Sequence, residues 1–347
     1  MRHRHSLPAW HVATADATGA THVAKHMSYE DAWAVAPARG LRGNETPVVV
    51  AVADGHGHAR HFRSARGAEL AVAAAARVGM AAAVELSEFE DAEYIEGALY
   101  QIVGPAVVST WRDYVYADLE QSPVTEGERV AAGLEAELTA EDLIYGYGTT
   151  LLLAVAAGPW LAFLQLGDGD LFLIAPDGSV AHPVPFDPRL DGLRTTSLCQ
   201  PDAVESIRYG IVEVGAQPVG AVMLATDGYG NAQRYEGWAD IFGGELAILA
   251  ERYGTAWIGE QLPEWVRACA TIDGSGDDVT AALLFAADTE WRPGDVALAM
   301  QYPDDPDGFD SLDPPDLPLD PPLGPARHGT PDMRATWPLS FRRRERA

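Results

Sequence analysis

From about residue 12 to residue 287 the chain alternates short apolar runs with turn signals. Val48–Ala53, Thr149–Ala156, Trp160–Gln165, Leu171–Ala175, Val219–Ala225 and Val279–Ala286 are strand-length and rich in Val, Leu and Ile. Pro176-Asp-Gly178 supplies a turn after one of them. Between the runs, Gly67–Val78 is dense in alanine, Ala81–Asp142 reads as two or three helices carrying many acids, and Tyr235–Ala270 reads as a second helical region. Strand clusters with segregated helices predict an α+β fold, two sheets with helices outside, rather than a regular βαβ alternation. The longest uncharged stretch, Thr149 to Leu166, is broken by Gly158-Pro159 and followed at once by Asp168 and Asp170. Two strands around a turn account for it better than a membrane span.

The pattern changes at both ends. Residues 1–11 read as a loose leader with no apolar signal segment, residues 12–287 as one domain, and residues 288–347 as a tail. From Pro303 to Pro325 that tail carries eight prolines and seven aspartates, and it closes on Arg342-Arg-Arg-Glu-Arg346. So little of it is apolar that disorder is expected, with partner docking or simple solubilisation as its uses. Composition narrows the function classes. Hydrophobic residues make up 47%, but 51 Asp+Glu against 24 Lys+Arg give a formal charge of −27, which argues against nucleic-acid binding. The two cysteines, Cys199 and Cys269, have neither disulfide-framework nor zinc spacing, so a reducing cytoplasm is the expected compartment.

The candidate chemistry lies in acids placed at the ends of apolar runs. Glu30-Asp31-Ala-Trp33, Asp54-Gly-His-Gly57, Gly167-Asp168-Gly-Asp170 and Asp227-Gly228 are expected where strands stop, and Asp277-Asp278 where one begins. One Asp-Gly pair is an ordinary turn; five acidic sites of this kind suggest a shared ligand. Hard divalent cations take carboxylate and carbonyl oxygens, and a following glycine lets the backbone approach closely. An EF-hand reading of Asp168-Gly-Asp170 fails because Leu171 and Phe172 fill positions that need oxygen ligands. No P-loop or GxSxG elbow is present.

The ordered set Glu30-Asp31, Asp54-Gly-His-Gly57, Gly148-Thr-Thr150, Gly167-Asp168-Gly-Asp170, Ala225-Thr-Asp227-Gly228 and Asp277-Asp278-Val-Thr280 resembles the PP2C (PPM) protein phosphatases. Gly19-Ala-Thr-His22 is similar to a bacterial branch of that family. The resemblance implies a β-sandwich of two antiparallel sheets flanked by helices, and Mn²⁺- or Mg²⁺-dependent hydrolysis of phosphoserine and phosphothreonine. It also implies that Asp54 bridges two ions with the Gly55 carbonyl beside it, and that Asp227 and Asp277 complete one ion. Glu30 and Asp31 would lie near the other, partly through water, Asp168 would serve a weaker third, and His56 would act as general acid. The partners implied are phosphorylated proteins, opposing a Ser/Thr kinase, with no nucleic acid and no membrane.

Two positions depart from the family pattern. The arginine that many members carry four residues before the Glu-Asp pair is His26 here, leaving His22, Arg60, Arg63 or Arg66 as substitutes for holding phosphate. Asp278 stands where asparagine is usual and adds a charge that could tighten metal binding. Three readings stay open to the sequence. They are an active protein phosphatase, a regulatory or binding module with little turnover, and a two-metal phosphatase of small esters.

Overall fold

In the computed structural model, residues 9–37, 47–89, 91–134, 138–190 and 195–294 are described. Ten strands form two five-stranded antiparallel sheets. One sheet has the order β1 (Trp10–Ala17), β10 (Val279–Ala286), β9 (Ala221–Ala225), β6 (Asp170–Ile174), β7 (Val180–Ala181). The other has the order β2 (Asp31–Ala36), β3 (Val48–Asp54), β4 (Leu151–Ala157), β5 (Trp160–Leu166), β8 (Arg208–Glu213).

Side-chain alternation divides each strand between two apolar layers. In β3, Val48, Val50 and Val52 fill the space between the sheets, while Val49, Ala51 and Ala53 face the outer helices. That double burial explains why the central runs are apolar at nearly every position. The helices are α1 (Ala20–Lys25), α2 (Ser64–Leu86), α3 (Ala92–Ala98), α4 (Gly104–Gln121), α5 (Glu126–Ala131), α6 (Ala140–Tyr145), α7 (Ala203–Ser206), α8 (Asp227–Asn231), α9 (Trp238–Tyr253) and α10 (Thr255–Cys269). α2 and α4 pack on the second sheet, and α9 and α10 on the first, giving an α+β sandwich of four layers. α2 is long and apolar enough to span a membrane by composition, but its alanine face forms part of the core against β3 and β4.

The expected strands all form, and Thr149–Leu166 is two strands around Gly158-Pro159. Helix α2 runs on to Leu86, past the expected stop at Val78, because small residues let it lie close on the sheet throughout. Two boundaries move. Trp10 and His11, assigned to the leader, belong to β1, where Trp10 pairs with Ala286 and is buried. At the other end, the domain does not stop at 287. Trp291 is buried against Gly220, and the Arg292 and Gly294 N–H groups donate to the carbonyls of Pro176 and Asp177, each at 2.9 Å. The rest of the expected tail, 295–347, lies outside the described residues.

Candidate active site

Strand pairing brings the first two acidic motifs together. Asp54 ends β3 directly opposite Asp31, so Glu30-Asp31 opens a strand instead of closing one. The Gly55 N–H donates to the Glu30 carbonyl at 3.1 Å, and a Cβ on Gly55 would fall 2.6 Å from that oxygen. Only glycine tolerates this approach. The Gly148-Thr-Thr150 motif fixes the Asp54 backbone: Thr149 Oγ1 donates to the Asp54 carbonyl at 2.8 Å, and Thr150 Oγ1 accepts the Asp54 N–H at 3.0 Å. Asp168 sits in the turn between β5 and β6, Asp227 opens α8 just after β9, and Asp277 precedes β10.

A cleft of about 460 Å³ collects Glu30, Asp54, Gly55, His56, Asp168, Asp227 and Asp277 on its walls. Asp31 is not on the wall. It is buried behind, where Thr226 Oγ1 donates to its Oδ2 at 2.8 Å and also accepts the Thr280 N–H at 2.9 Å. The place implied for Asp31, near an ion and partly through water, is therefore behind the wall rather than on it. Asp278 is likewise no extra ligand. Its Oδ1 accepts the Gly19 N–H at 2.7 Å, and its Oδ2 accepts the Glu30 N–H at 2.6 Å.

The electrostatics are those of crowded anions. Burial above all, then Asp31 and Asp227, hold the Asp54 carboxyl well above the usual range. Burial also raises Asp227, which shares a hydrogen bond with Asp54. Asp31 is raised by burial and further by Asp278 and Asp227. Asp170, just behind the cleft, is pushed up to about 8 by burial, then by Asp227 and Asp168. Glu30 rises chiefly through burial; Ser64 Oγ donates to its Oε1 at 2.9 Å, but its Oε2 is buried with no hydrogen-bond partner. An orphaned carboxylate oxygen among raised carboxyls is costly unless a cation covers it. The all-oxygen donor set fits Mg²⁺ or Mn²⁺. As they stand, no three His, Cys, Asp or Glu side chains among the described residues are grouped to hold an ion.

His56 donates its backbone N–H to the Gly148 carbonyl at 3.1 Å and sets its ring edge-on to His61, 4.8 Å between centroids. His61 Nδ1 donates to the Tyr145 carbonyl at 2.7 Å, and its ring stacks on Tyr145 at 4.4 Å. Burial first, then His61, push His56 down to about 3, so its imidazole is neutral here at pH 7.

The phosphate-holding substitutes fare differently. Arg63 is consumed by Glu128, at 2.7 and 3.1 Å, and by the Ser122 carbonyl at 2.7 Å. Arg66 is bound to Asp118 and Glu69, each at 2.7 Å. Arg60 lies 5.0 Å over the Tyr145 ring and 3.4 Å from Asp142. None of the three lines the cleft. His26 is exposed off the wall as the left-handed cap of α1, at φ 56°. His22 is on the wall but buried, with both ring nitrogens facing carboxylates: Nδ1 stands 2.9 Å from Asp278 Oδ2, and Nε2 3.5 Å from Asp277 Oδ1. Lys25 went unnoticed in the sequence, and among the described residues it is the only Lys or Arg on the cleft wall. The sequence signal was its place one turn after His22 on the same helix. The support that Thr226 gives Asp31 was missed as well.

The protein phosphatase 2C family model matches residues 18–267, and the chain belongs to that family. The match ends before Asp277, which the fold returns to the cleft. No curated protein sequence matches the chain. Among solved structures it is similar to PppA, described as a key regulatory component of T6SS in Pseudomonas aeruginosa, at 19% identity over 81% of this chain and 100% of that one (TM-score 0.49). It is similar to the S. agalactiae serine/threonine phosphatase at 14% identity over 80% and 100% (TM-score 0.46). A third is the catalytic domain of the serine threonine protein phosphatase PstP in complex with two manganese ions, at 18% identity over 80% and 97% (TM-score 0.42).

Proposed function

We propose that this chain is a Mn²⁺- or Mg²⁺-dependent phosphatase of phosphoserine and phosphothreonine in cytoplasmic proteins, opposing a Ser/Thr kinase. The observation that carries the reading is the convergence of Glu30, Asp54, Asp168, Asp227 and Asp277, from distant segments, on one cleft. Asp54, the Gly55 carbonyl, Asp227, Asp277 and Glu30 would hold the ions, with Asp168 available to a further one. Bound ions would supply Lewis acidity, acidifying water at neutral pH and offsetting phosphoryl charge. The residues of the chain do the rest. Thr149 and Thr150 hold the Asp54 backbone in place, and Lys25 meets the substrate phosphate. His56 carries the proton that a serine or threonine alkoxide needs to leave, its basicity restored by the phosphate dianion beside it.

A second reading, a module that binds phosphoproteins without turning them over, draws on the replacement of the arginine by an outward-facing His26. The experiment is hydrolysis of a phosphothreonine peptide with Mn²⁺, run beside a small alkyl phosphate. Peptide turnover well above that of the small ester is expected. Peptide binding without hydrolysis would favour the module, and preference for the small ester would favour a small-molecule phosphatase. Within the same assay Lys25→Ala should raise KM about tenfold, the loss of one charge-assisted contact, with kcat little changed. Lys25→Arg should restore KM, and His26→Ala should leave it unmoved. A Lys25→Ala enzyme with the parental KM would remove Lys25 from the site.

A further inference from the structure

The segment Gly19–His22 is docked on the last acidic motif more closely than a connection requires. The Thr21 N–H donates to the Gly276 carbonyl, and the Ala20 N–H to the Ala270 carbonyl, each at 2.8 Å. A Cβ on Gly19 would fall 2.3 Å from the Asp277 carbonyl carbon, so no side chain fits there. This contact puts His22, buried at 8% exposure, between two neighbouring carboxylates.

Those two carboxylates are used differently. Asp278 is 3% exposed, its two oxygens accept the backbone N–H groups of Gly19 and Glu30, and His22 Nδ1 stands 2.9 Å from Oδ2 without hydrogen-bond geometry. Asp277 is open to the cleft, with a side chain 53% exposed. Its Oδ1 accepts the Asp278 N–H at 2.9 Å and is faced by His22 Nε2 at 3.5 Å. One face of the Asp277 carboxylate is thus engaged on the protein side. Asp278, through the Glu30 N–H, also ties this motif to the Glu30 and Gly55 pair.

We infer that His22, seated on Asp278, is a positioning residue that sets the metal affinity of the site by orienting Asp277. The inference rests on the metal-dependent reading above and deepens it. Outer partners of a ligand contribute through orientation, and their loss costs about 10–100-fold in metal affinity.

The two ring nitrogens can be tested separately, because an asparagine amide nitrogen reaches the position of Nδ1 and a glutamine amide nitrogen that of Nε2. His22→Gln keeps the arm toward Asp277, whereas His22→Asn keeps only the arm toward Asp278. Mn²⁺ binding by calorimetry on the full chain should weaken about tenfold or more in His22→Asn and stay within about threefold in His22→Gln. The phosphopeptide kcat at saturating Mn²⁺ should remain near parental in both. A merely structural histidine would lower the melting temperature of both variants without separating their Mn²⁺ affinities. Equal affinities in the two variants, or Gln weaker than Asn, would overturn the inference while leaving the phosphatase reading intact. A parental protein that binds no Mn²⁺ would overturn both. Should either variant be too unstable to assay, His22→Phe, which keeps the ring volume and drops both nitrogens, must show the tenfold loss for the inference to survive.

Discussion

Asp54→Asn and Asp227→Asn should each lower phosphothreonine-peptide turnover by about 10³-fold, the rate equivalent of losing several kcal/mol of charge stabilisation. In the same preparations the metal-free protein should melt higher than the parent. Both effects follow from one fact, that these carboxyls are held above their usual range by burial first and then by neighbouring carboxylates. The neutral amide removes a charge that the empty cleft opposes, and each 1 kcal/mol recovered is worth about 2–4 °C in a domain of this size. The pH dependence has a definite sign. A carboxyl whose folded pKa is raised takes up its proton in the folded state first, so acidification through the folded pKa adds stability. With Asp170 pushed up to about 8, the metal-free parent should become more stable as pH falls from 8 toward 6, and the two Asn variants less steeply so. Differential scanning calorimetry with and without Mn²⁺ measures all of this. Asn variants that melt lower than the parent without metal would mean the carboxylates are satisfied by protein contacts.

His56→Ala should slow hydrolysis of a phosphoserine peptide by about 10²–10⁴-fold and of an aryl phosphate by less than about tenfold. An alkoxide leaves poorly without a proton, whereas a phenolate needs little help. The low basicity of His56 in the free cleft makes the test sharp, since the side chain becomes a donor only with a phosphate dianion beside it. Equal losses on both substrates would instead make His56 part of the wall formed with His61 and Tyr145.

What the sequence revealed of the fold follows from where each strand sits. The six strands legible as apolar runs, β3, β4, β5, β6, β9 and β10, are the interior strands of the two sheets. Covered on both faces and both edges, they carry almost nothing polar. The four missed strands, β1, β2, β7 and β8, are the edges. In β1 polar His11, Thr14 and Asp16 interrupt the pattern, and in β8 Arg208 and Glu213 do. Edge strands face solvent on one side, and their pairing is set by neighbours that local sequence does not specify.

The site divides along a similar line. Acids on the cleft wall were legible because a metal site needs them beside tight turns. Three distinctions were not legible, because each depends on which way a side chain points. Asp31 and Asp54 face each other across a strand pair, yet one lies behind the cleft and the other on it. Arg63 follows closely on His56 and His61 in the chain, but α5 and the residues before it consume its guanidinium. Lys25 and His26 are adjacent, and the left-handed turn at His26 leaves only Lys25 on the wall.

The central claim, that this cleft is a metal-dependent phosphatase site, is tested most directly by one titration. Protein stripped with EDTA and shown metal-free by elemental analysis is assayed on a phosphothreonine peptide while Mn²⁺ is added back. The account predicts no turnover in the stripped protein and a saturable return of activity with Mn²⁺, lowered about 10³-fold in Asp54→Asn. Full turnover by the metal-free protein, or none at any Mn²⁺ or Mg²⁺ concentration, would contradict it.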